Sequence, residues 1–203
     1  MAVEREYALR LAVAADAEAL AVVHIKSWRE IYKGVFPERV LEELNAASHA
    51  AYWRSLVAAA SGGTVVCERS GTVMGFLRLA AAAGGDSRAS AGEITSIYLD
   101  PQHWRRGYGA ALMRWALSQA ETRGWRRVIS WSLRENRQAR AFYESMGFHP
   151  DGASKTGHLG ERFSGVEERY VTLVRFARLL PSSVSMRTAE DHRQNSCRDG
   201  RRR

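Results

Sequence analysis

The sequence predicts a mixed α+β domain, a central sheet of six to seven strands with about four helices packed on it. Strand-like and helix-like segments follow one another in the order β-α-α-β-β-β-α-β-α-β-β, which mixes runs of strands with βα units. Residues 93–133 read as a βαβ unit, which places two parallel strands around a right-handed crossover helix. The chain's 203 residues fit one domain large enough to bury a real core.

The segment YALRLAV (7–13) reads as the first strand. Asp16 is placed to cap a helix on which Leu20, His24, Trp28 and Ile31 recur at helical spacing, with Gly34 ending it. PERVLEEL (37–44) opens with proline at a helix start, and SHAAYWRSLVAAA (48–60) continues helical until Gly62 and Gly63. TVVCERS (64–70) and TVMGFLRLAAA (72–82) form a predicted hairpin through Gly71. A loop over 83–92 leads to the strand EITSIYLD (93–100), which Pro101 ends. A helix over 107–123, a strand over 126–133 and a helix capped by Asn136 and stopped at Gly147 follow. Phe148 and EERYVTLVRF (167–176) complete the strands, leaving 152–166 as a loop.

Composition excludes several classes. With 45% apolar and 26% charged residues the chain is neither disordered nor fibrous. No apolar run approaches the ~18 residues of a membrane span, and Glu4 and Glu6 interrupt the start where a signal peptide would be apolar. Cys67 and Cys197 stand far apart, so neither a disulfide framework nor a metal site is expected, and a cytoplasmic location is. Of the net charge of +8, residues 181–203 carry +3 in a polar, Arg-rich segment that reads as a disordered tail following a domain of residues 1–180. The other +5 is spread among many acids, so nucleic acid is not the expected partner.

The stretch HWRRGYGAALM (103–113) sets two arginines beside two glycines where a helix begins. A helix N-terminus leaves backbone N–H groups unpaired and carries the positive end of the helix dipole. Glycine lets an anion approach that backbone, so Gly107 and Gly109 suit a phosphate, with Arg105 and Arg106 adding charge. No Lys-Ser or Lys-Thr follows, which removes a nucleoside-triphosphate loop. Leu112 stands where a dinucleotide fingerprint needs its third glycine or alanine.

The stretch EITSIYLDPQHWRRGYGAALM, followed by NRQARAFYESMGF, resembles the GNAT N-acetyltransferase superfamily. Its pattern is a strand, then [QR]-x-x-G-x-[GA], a helix, and later N-x-x-A-x-x-[FL]-Y-x-x-x-G-F. Gly107 and Gly109 match the first motif; Asn136, Ala139, Phe142, Tyr143, Gly147 and Phe148 match the second. Trp104 departs from the usual Gln or Arg. SWREIYKGVFPERVLEEL also resembles the SW-x-x-x-Y-x-G-x-x-P-x-x-x-L helix pair of many bacterial members, and the likeness covers roughly residues 7 to 176. It implies a mostly antiparallel, twisted sheet with a splayed parallel pair, and acetyl-coenzyme A as co-substrate without a metal.

The resemblance also assigns roles. Ile97, Tyr98 and Leu99 would pair with pantetheine like an added strand, the N–H near Leu99 polarising the thioester carbonyl. Arg105, Arg106, Gly107, Tyr108, Gly109 and Ala110 would hold the pyrophosphate. Asn136 would reach pantetheine or a water, beside its role as helix cap. Tyr143 is the expected general acid, a phenol of pKa ~10 against a thiol of ~8.5, although its helical spacing also suits a core aromatic. Glu93 is the expected base, although a glutamate at a strand start is often only solvated. Trp28 and Tyr32 would line the acceptor pocket, or serve as core aromatics on an amphipathic helix.

The expected activity is transfer of acetyl to a primary amine by direct attack in a ternary complex. A small molecule is the expected acceptor, and a protein N-terminus or lysine the alternative. A non-catalytic acyl-coenzyme A sensor is the rival from another class. A homodimer stays open, and no residue set spells out the acceptor.

Overall fold

The computed structural model of the chain describes residues 7–59, 62–83, 91–159, 163–174 and 186–187. Its elements are β1 (Ala8–Leu11), α1 (Ala17–Ile31), α2 (Glu38–Glu42), α3 (Ala46–Ala58), β2 (Gly63–Arg69), β3 (Thr72–Ala81), β4 (Ala91–Leu99), α4 (Tyr108–Thr122), β5 (Arg127–Leu133), α5 (Arg137–Ser145), β6 (His149–Leu159) and β7 (Phe163–Leu173). They form one sheet in the order β6-β7-β5-β4-β3-β2-β1, antiparallel except for the β4–β5 pair. A two-residue β8 (Met186–Arg187) lies parallel to β1 at the edge. The rest of the expected tail, 181–203, lies outside the described residues, as do 84–90 of the expected loop. The mixed, mostly antiparallel fold read from the sequence is the one observed.

Two expectations need correction. The described part of the segment 152–166 is not a loop, because β6 and β7 pair antiparallel through it, with Ser154 opposite Glu168 and Lys155 opposite Glu167. Its small polar residues and glycines lack the apolar alternation that marks a half-buried strand, and pairing with β7 supplies the order instead. Nor does the Asp16 side chain cap α1. Its carboxylate accepts both terminal nitrogens of Arg10, at 2.7 and 2.8 Å, and the Val13 N–H at 2.8 Å. Arg10 also donates to Glu68 of β2 at 2.7 Å, so one guanidinium joins β1, β2 and the start of α1. The caps at Asn45 and Asn136 form as the sequence indicates, to the N–H groups of Ser48 and Ala139.

Alternate residues of the strands bury on opposite faces. On one face Leu77, Leu79, Ile94 and Val128 pack with Leu112, Met113 and Trp115 of α4 and with Tyr143 of α5. On the other, Val66 and Phe76 pack under Leu20, Ala21 and Trp53 of α1 and α3.

The parallel pair opens partway along. β4 and β5 are paired only from Ala91–Arg127 to Ile94–Ser130, although both strands continue. Beyond that rung β5 stays with β7 through Leu133, while β4 stays with β3 through Leu99. A bulge leaves Thr95 of β4 without a counterpart in β3, and such an extra residue bends its strand. Gly75 of β3 lies opposite Leu99, and a Cβ there would sit 2.7 Å from Leu99 Cγ and 2.8 Å from the Tyr98 carbonyl. Gly75→Ala is therefore expected to lower unfolding free energy by about 1–3 kcal/mol. An unchanged denaturant midpoint would show that the end of β4 moves aside freely.

Candidate active site

The gap between the diverging strands brings most of the predicted residues together. Asp100 N–H donates to Met74 O at 2.8 Å. Amides along a strand point alternately to its two edges, so those of Leu99 and Ile97 face the gap. Trp104, the departure from the family pattern, has a structural task, because its indole N–H donates to Leu99 O at 2.9 Å. That bond fixes the turn after β4 to the strand's last residue.

The turn is left-handed at two points, Arg105 (φ 57°) and Gly107 (φ 88°). The second is natural for glycine, and the first costs about 1 kcal/mol or more for a residue with a Cβ. Gly107 then serves as N-cap of α4 without a side-chain capping bond. The first-turn N–H groups of Tyr108, Gly109 and Ala110 have no intrahelical partner by geometry. Gly109 packs so that a Cβ would meet the Phe142 ring at 3.3 Å and Leu99 at 3.5 Å, tying α4 to both α5 and β4. Arg105 and Arg106 are exposed at its rim. Tyr108 differs from expectation in one respect. Its ring is buried edge-on against Tyr7, so only its backbone faces the turn's opening. The donor set of bare amides and two guanidinium groups fits a diphosphate.

Tyr143 stands at the vertex of the gap. It is 4% exposed, its ring stacks on Tyr170 at 5.7 Å, and Phe148 lies 5.6 Å away. Arg140 Nε donates to the Tyr170 hydroxyl at 2.8 Å, which holds that second ring. Burial pushes the Tyr143 phenol up to about 12, opposed by a hydrogen bond with Ser130. The phenol therefore keeps its proton throughout the neutral range. Ser130 Oγ lies 2.8 Å from Tyr143 Oη and 3.1 Å from Ile94 O. No motif marks this serine, and its one signal in the sequence is a hydroxyl inside the apolar strand RVISWSL.

Glu93 sits on the paired part of β4, opposite Ala80 and Ile129, and is half-buried. Because Ile94 belongs to the α4 face with Tyr143, the Glu93 side chain projects to the α1 face. The expected acid and base thus lie on opposite sides of the sheet.

On the α1 face Trp28 and Tyr32 reach across the gap. Tyr32 packs on Leu133 and Leu41, its ring 5.3 Å from Trp28 and 4.9 Å from Phe36. Asn136 Nδ2 donates to the Tyr32 hydroxyl at 3.4 Å, while its Oδ1 caps α5. Both polar atoms of Asn136 are therefore engaged within the protein. Burial raises the Tyr32 phenol to about 12. One turn before Trp28, His24 stacks on Tyr98 at 4.2 Å and accepts the Trp53 indole N–H at 3.3 Å. It is a packed imidazole, and Cys67 is a fully buried core thiol.

A splayed parallel pair beside a glycine turn that opens a helix sets strand-edge amides and a helix N-terminus along one gap. Residues 25–148 match the acetyltransferase (GNAT) family, and the chain belongs to it. An uncharacterized N-acetyltransferase of Methanocaldococcus jannaschii is 34% identical over 98 residues, spanning 48% of this chain and 43% of that protein. The uncharacterized N-acetyltransferase YuaI of Bacillus subtilis is 29% identical over 125 residues, 60% of this chain and 68% of the relative. In fold, the chain is similar to PaiA N-acetyltransferase of Thermoplasma acidophilum in complex with coenzyme A, with a TM-score of 0.66 at 19% identity, over 80% of this chain and 98% of that one. It is also similar to YncA of Salmonella typhimurium with its cofactor acetyl-CoA, with a TM-score of 0.62 at 17% identity, over 88% and 99%. Among the described residues no helix is long and apolar enough to cross a membrane.

Burial pushes the His24 imidazole from 6.5 down to about 3, with a smaller contribution from His49. A depressed pKa means that the unfolded chain binds the proton first as pH falls. The stability of neutral His24 is whole above about pH 6.5 and drains away toward pH 3. In urea titrations, His24→Gln should shrink the loss of unfolding free energy between pH ~6.5 and ~5 by about 1–2 kcal/mol. Equal losses in both proteins would mean that His24 protonates in place without penalty.

Proposed function

We propose that this protein transfers acetyl from acetyl-coenzyme A to a primary amine of a small-molecule acceptor, by direct attack in a ternary complex. The observation that carries the reading is the placement of three features along one gap: the Arg105–Ala110 turn, the amides of Ile97 and Leu99, and the Tyr143 hydroxyl. The coenzyme A and acetyl-CoA complexes of the two structural neighbours support the same donor for this chain.

Acetyl-coenzyme A supplies an activated thioester. The turn's amides, with Arg105 and Arg106, hold the diphosphate at the positive end of α4. The amides of Ile97 and Leu99 offer pantetheine a strand edge, and that of Leu99 steadies negative charge on the thioester oxygen. The amine lone pair forms the C–N bond as the C–S bond breaks. Glu93, through water, takes the proton from the nitrogen, and Tyr143 gives its hydroxyl proton to the departing sulfur. Trp28 and Tyr32 form the wall along which the acceptor enters on the α1 face, with Asn136 holding Tyr32 in place.

Thiol release from acetyl-coenzyme A in the presence of an amine panel tests the activity. Saturable binding without turnover on any amine, peptide or lysine would instead indicate a sensor. Tyr143→Phe is expected to lower turnover at least 10-fold, in the range of general-acid contributions, with acetyl-coenzyme A affinity nearly unchanged. A parental rate would remove Tyr143 from the chemistry.

Glu93→Gln should reduce the rate most at low pH, where the amine arrives protonated. Initial rates across pH check this, and a profile of unchanged shape would place the base elsewhere.

A further inference from the structure

Ser130 occupies the last rung at which β4 and β5 are paired, and the residue is 1% exposed. Two oxygens lie within its reach, Tyr143 Oη at 2.8 Å and Ile94 O at 3.1 Å. A serine hydroxyl carries one hydrogen and two acceptor lone pairs, so it cannot donate to both at once. When Ser130 donates to the Ile94 carbonyl, the remaining short contact is satisfied by Tyr143 donating to Ser130 Oγ. The phenol hydrogen then points into the protein. When Ser130 rotates and donates to Tyr143 Oη, the phenol hydrogen is released toward the gap. The two arrangements differ by rotation about two C–O bonds, with no movement of heavy atoms.

We propose that Ser130 is a positioning residue which, by turning its single hydrogen between Ile94 O and Tyr143 Oη, directs the Tyr143 proton into the gap. The proposal rests on the reading of Tyr143 as proton donor. Each proton is accounted for: as the phenol hydrogen leaves for sulfur, the Ser130 hydrogen takes up the charge formed on Oη. The Ile94 carbonyl meanwhile loses one donor. The phenol needs this help because burial raises it to about 12 while the Ser130 bond acts in the opposite direction. A thiol leaves near ~8.5 in water, so an unassisted phenol would be a reluctant donor. A buried phenolate without a hydrogen-bond donor would also carry the full desolvation penalty.

The test uses the full chain with acetyl-coenzyme A, an amine acceptor from the panel above, and acetyl-coenzyme A hydrolysis where no amine is turned over. Ser130→Ala should lower kcat about 10-fold while calorimetric affinity for acetyl-coenzyme A stays within twofold. Ser130→Thr keeps the hydroxyl and should recover to within about threefold of the parent. Ser130→Cys keeps the volume with a weak donor and should fall between, which also serves if the alanine variant folds poorly. In the Tyr143→Phe background Ser130→Ala should change kcat less than twofold, because a residue acting through the phenol has nothing left to direct. A parental rate for Ser130→Ala, beside a slow Tyr143→Phe, would overturn the Ser130 proposal alone. So would an undiminished 10-fold loss in the Tyr143→Phe background, which would mark a structural role. A parental rate for Tyr143→Phe would instead overturn the reading of Tyr143 itself, and this proposal with it.

Discussion

The geometry of the site depends on a division of hydrogen bonding between neighbouring strands. A buried backbone amide needs a partner, and a parallel pair normally supplies one along its whole length. Here β5 stays bound to β7 over all seven of its residues, while the end of β4 stays bound to β3. Two strands held by different neighbours cannot remain together once a bulge at Thr95 bends one of them. The gap is thus the product of firm pairing on its two outer sides rather than weakness in its middle. Its edge retains amides on β4 that an extended ligand can use.

Everything around the gap is arranged to keep it from closing on itself. On the α4 face, Tyr143 is wedged between Phe148 and a Tyr170 held by Arg140, and Gly109 lets α4 approach Phe142 and Leu99. On the α1 face, Tyr32 joins Trp28 and Phe36 to Leu133 and is held by Asn136. Large rings occupy space without polar demands beyond one hydroxyl or N–H, so they prop two strands apart at little electrostatic penalty. Asp100, just after β4, adds an anchor through Lys26 of α1 at 2.7 Å. That lysine, with the backbone bond to Gln102, holds the carboxyl below its usual range despite burial.

Local chemistry made the α4 turn and the α5 cap legible from the sequence. Gly107, Gly109 and Asn136 are residues whose conformational or capping roles follow from their own covalent structure, and each stands where that role requires. The β6–β7 pairing was not legible, because SKTG carries no apolar alternation and its order comes from partners 8 to 14 residues away, such as Glu167 and Glu168. Asp16 looked like a cap, but Arg10 competes for the carboxylate with two charge-assisted bonds, which are stronger than a neutral cap. Trp104 departs from the family pattern in the sequence, and its indole bond to Leu99 O accounts for it only in the fold. Ser130 shows in the sequence only as a hydroxyl in an apolar strand, and its meaning lies in two oxygens from β4 and α5 that only the folded chain brings to it.

The chain's net charge of +8 invites the idea of an acidic acceptor, and the charge placement on the α1 face argues against so direct a step. Lys155 and Arg169 both lie over the Trp131 ring, at 4.2 and 5.7 Å, on the part of the sheet beyond the helices. Each is answered locally, Lys155 by Glu167 at 3.3 Å and Arg169 by Asp151 at 2.7 Å. Lys26 is likewise taken by Asp100. Cations paired at these distances present little net field to a ligand across a Debye length of about 8 Å. On the same face Trp28, Tyr32, Tyr98 and a neutral His24 form a continuous chain of uncharged rings. In the proposed reading, shape and apolar contact rather than net charge set what fits on that face.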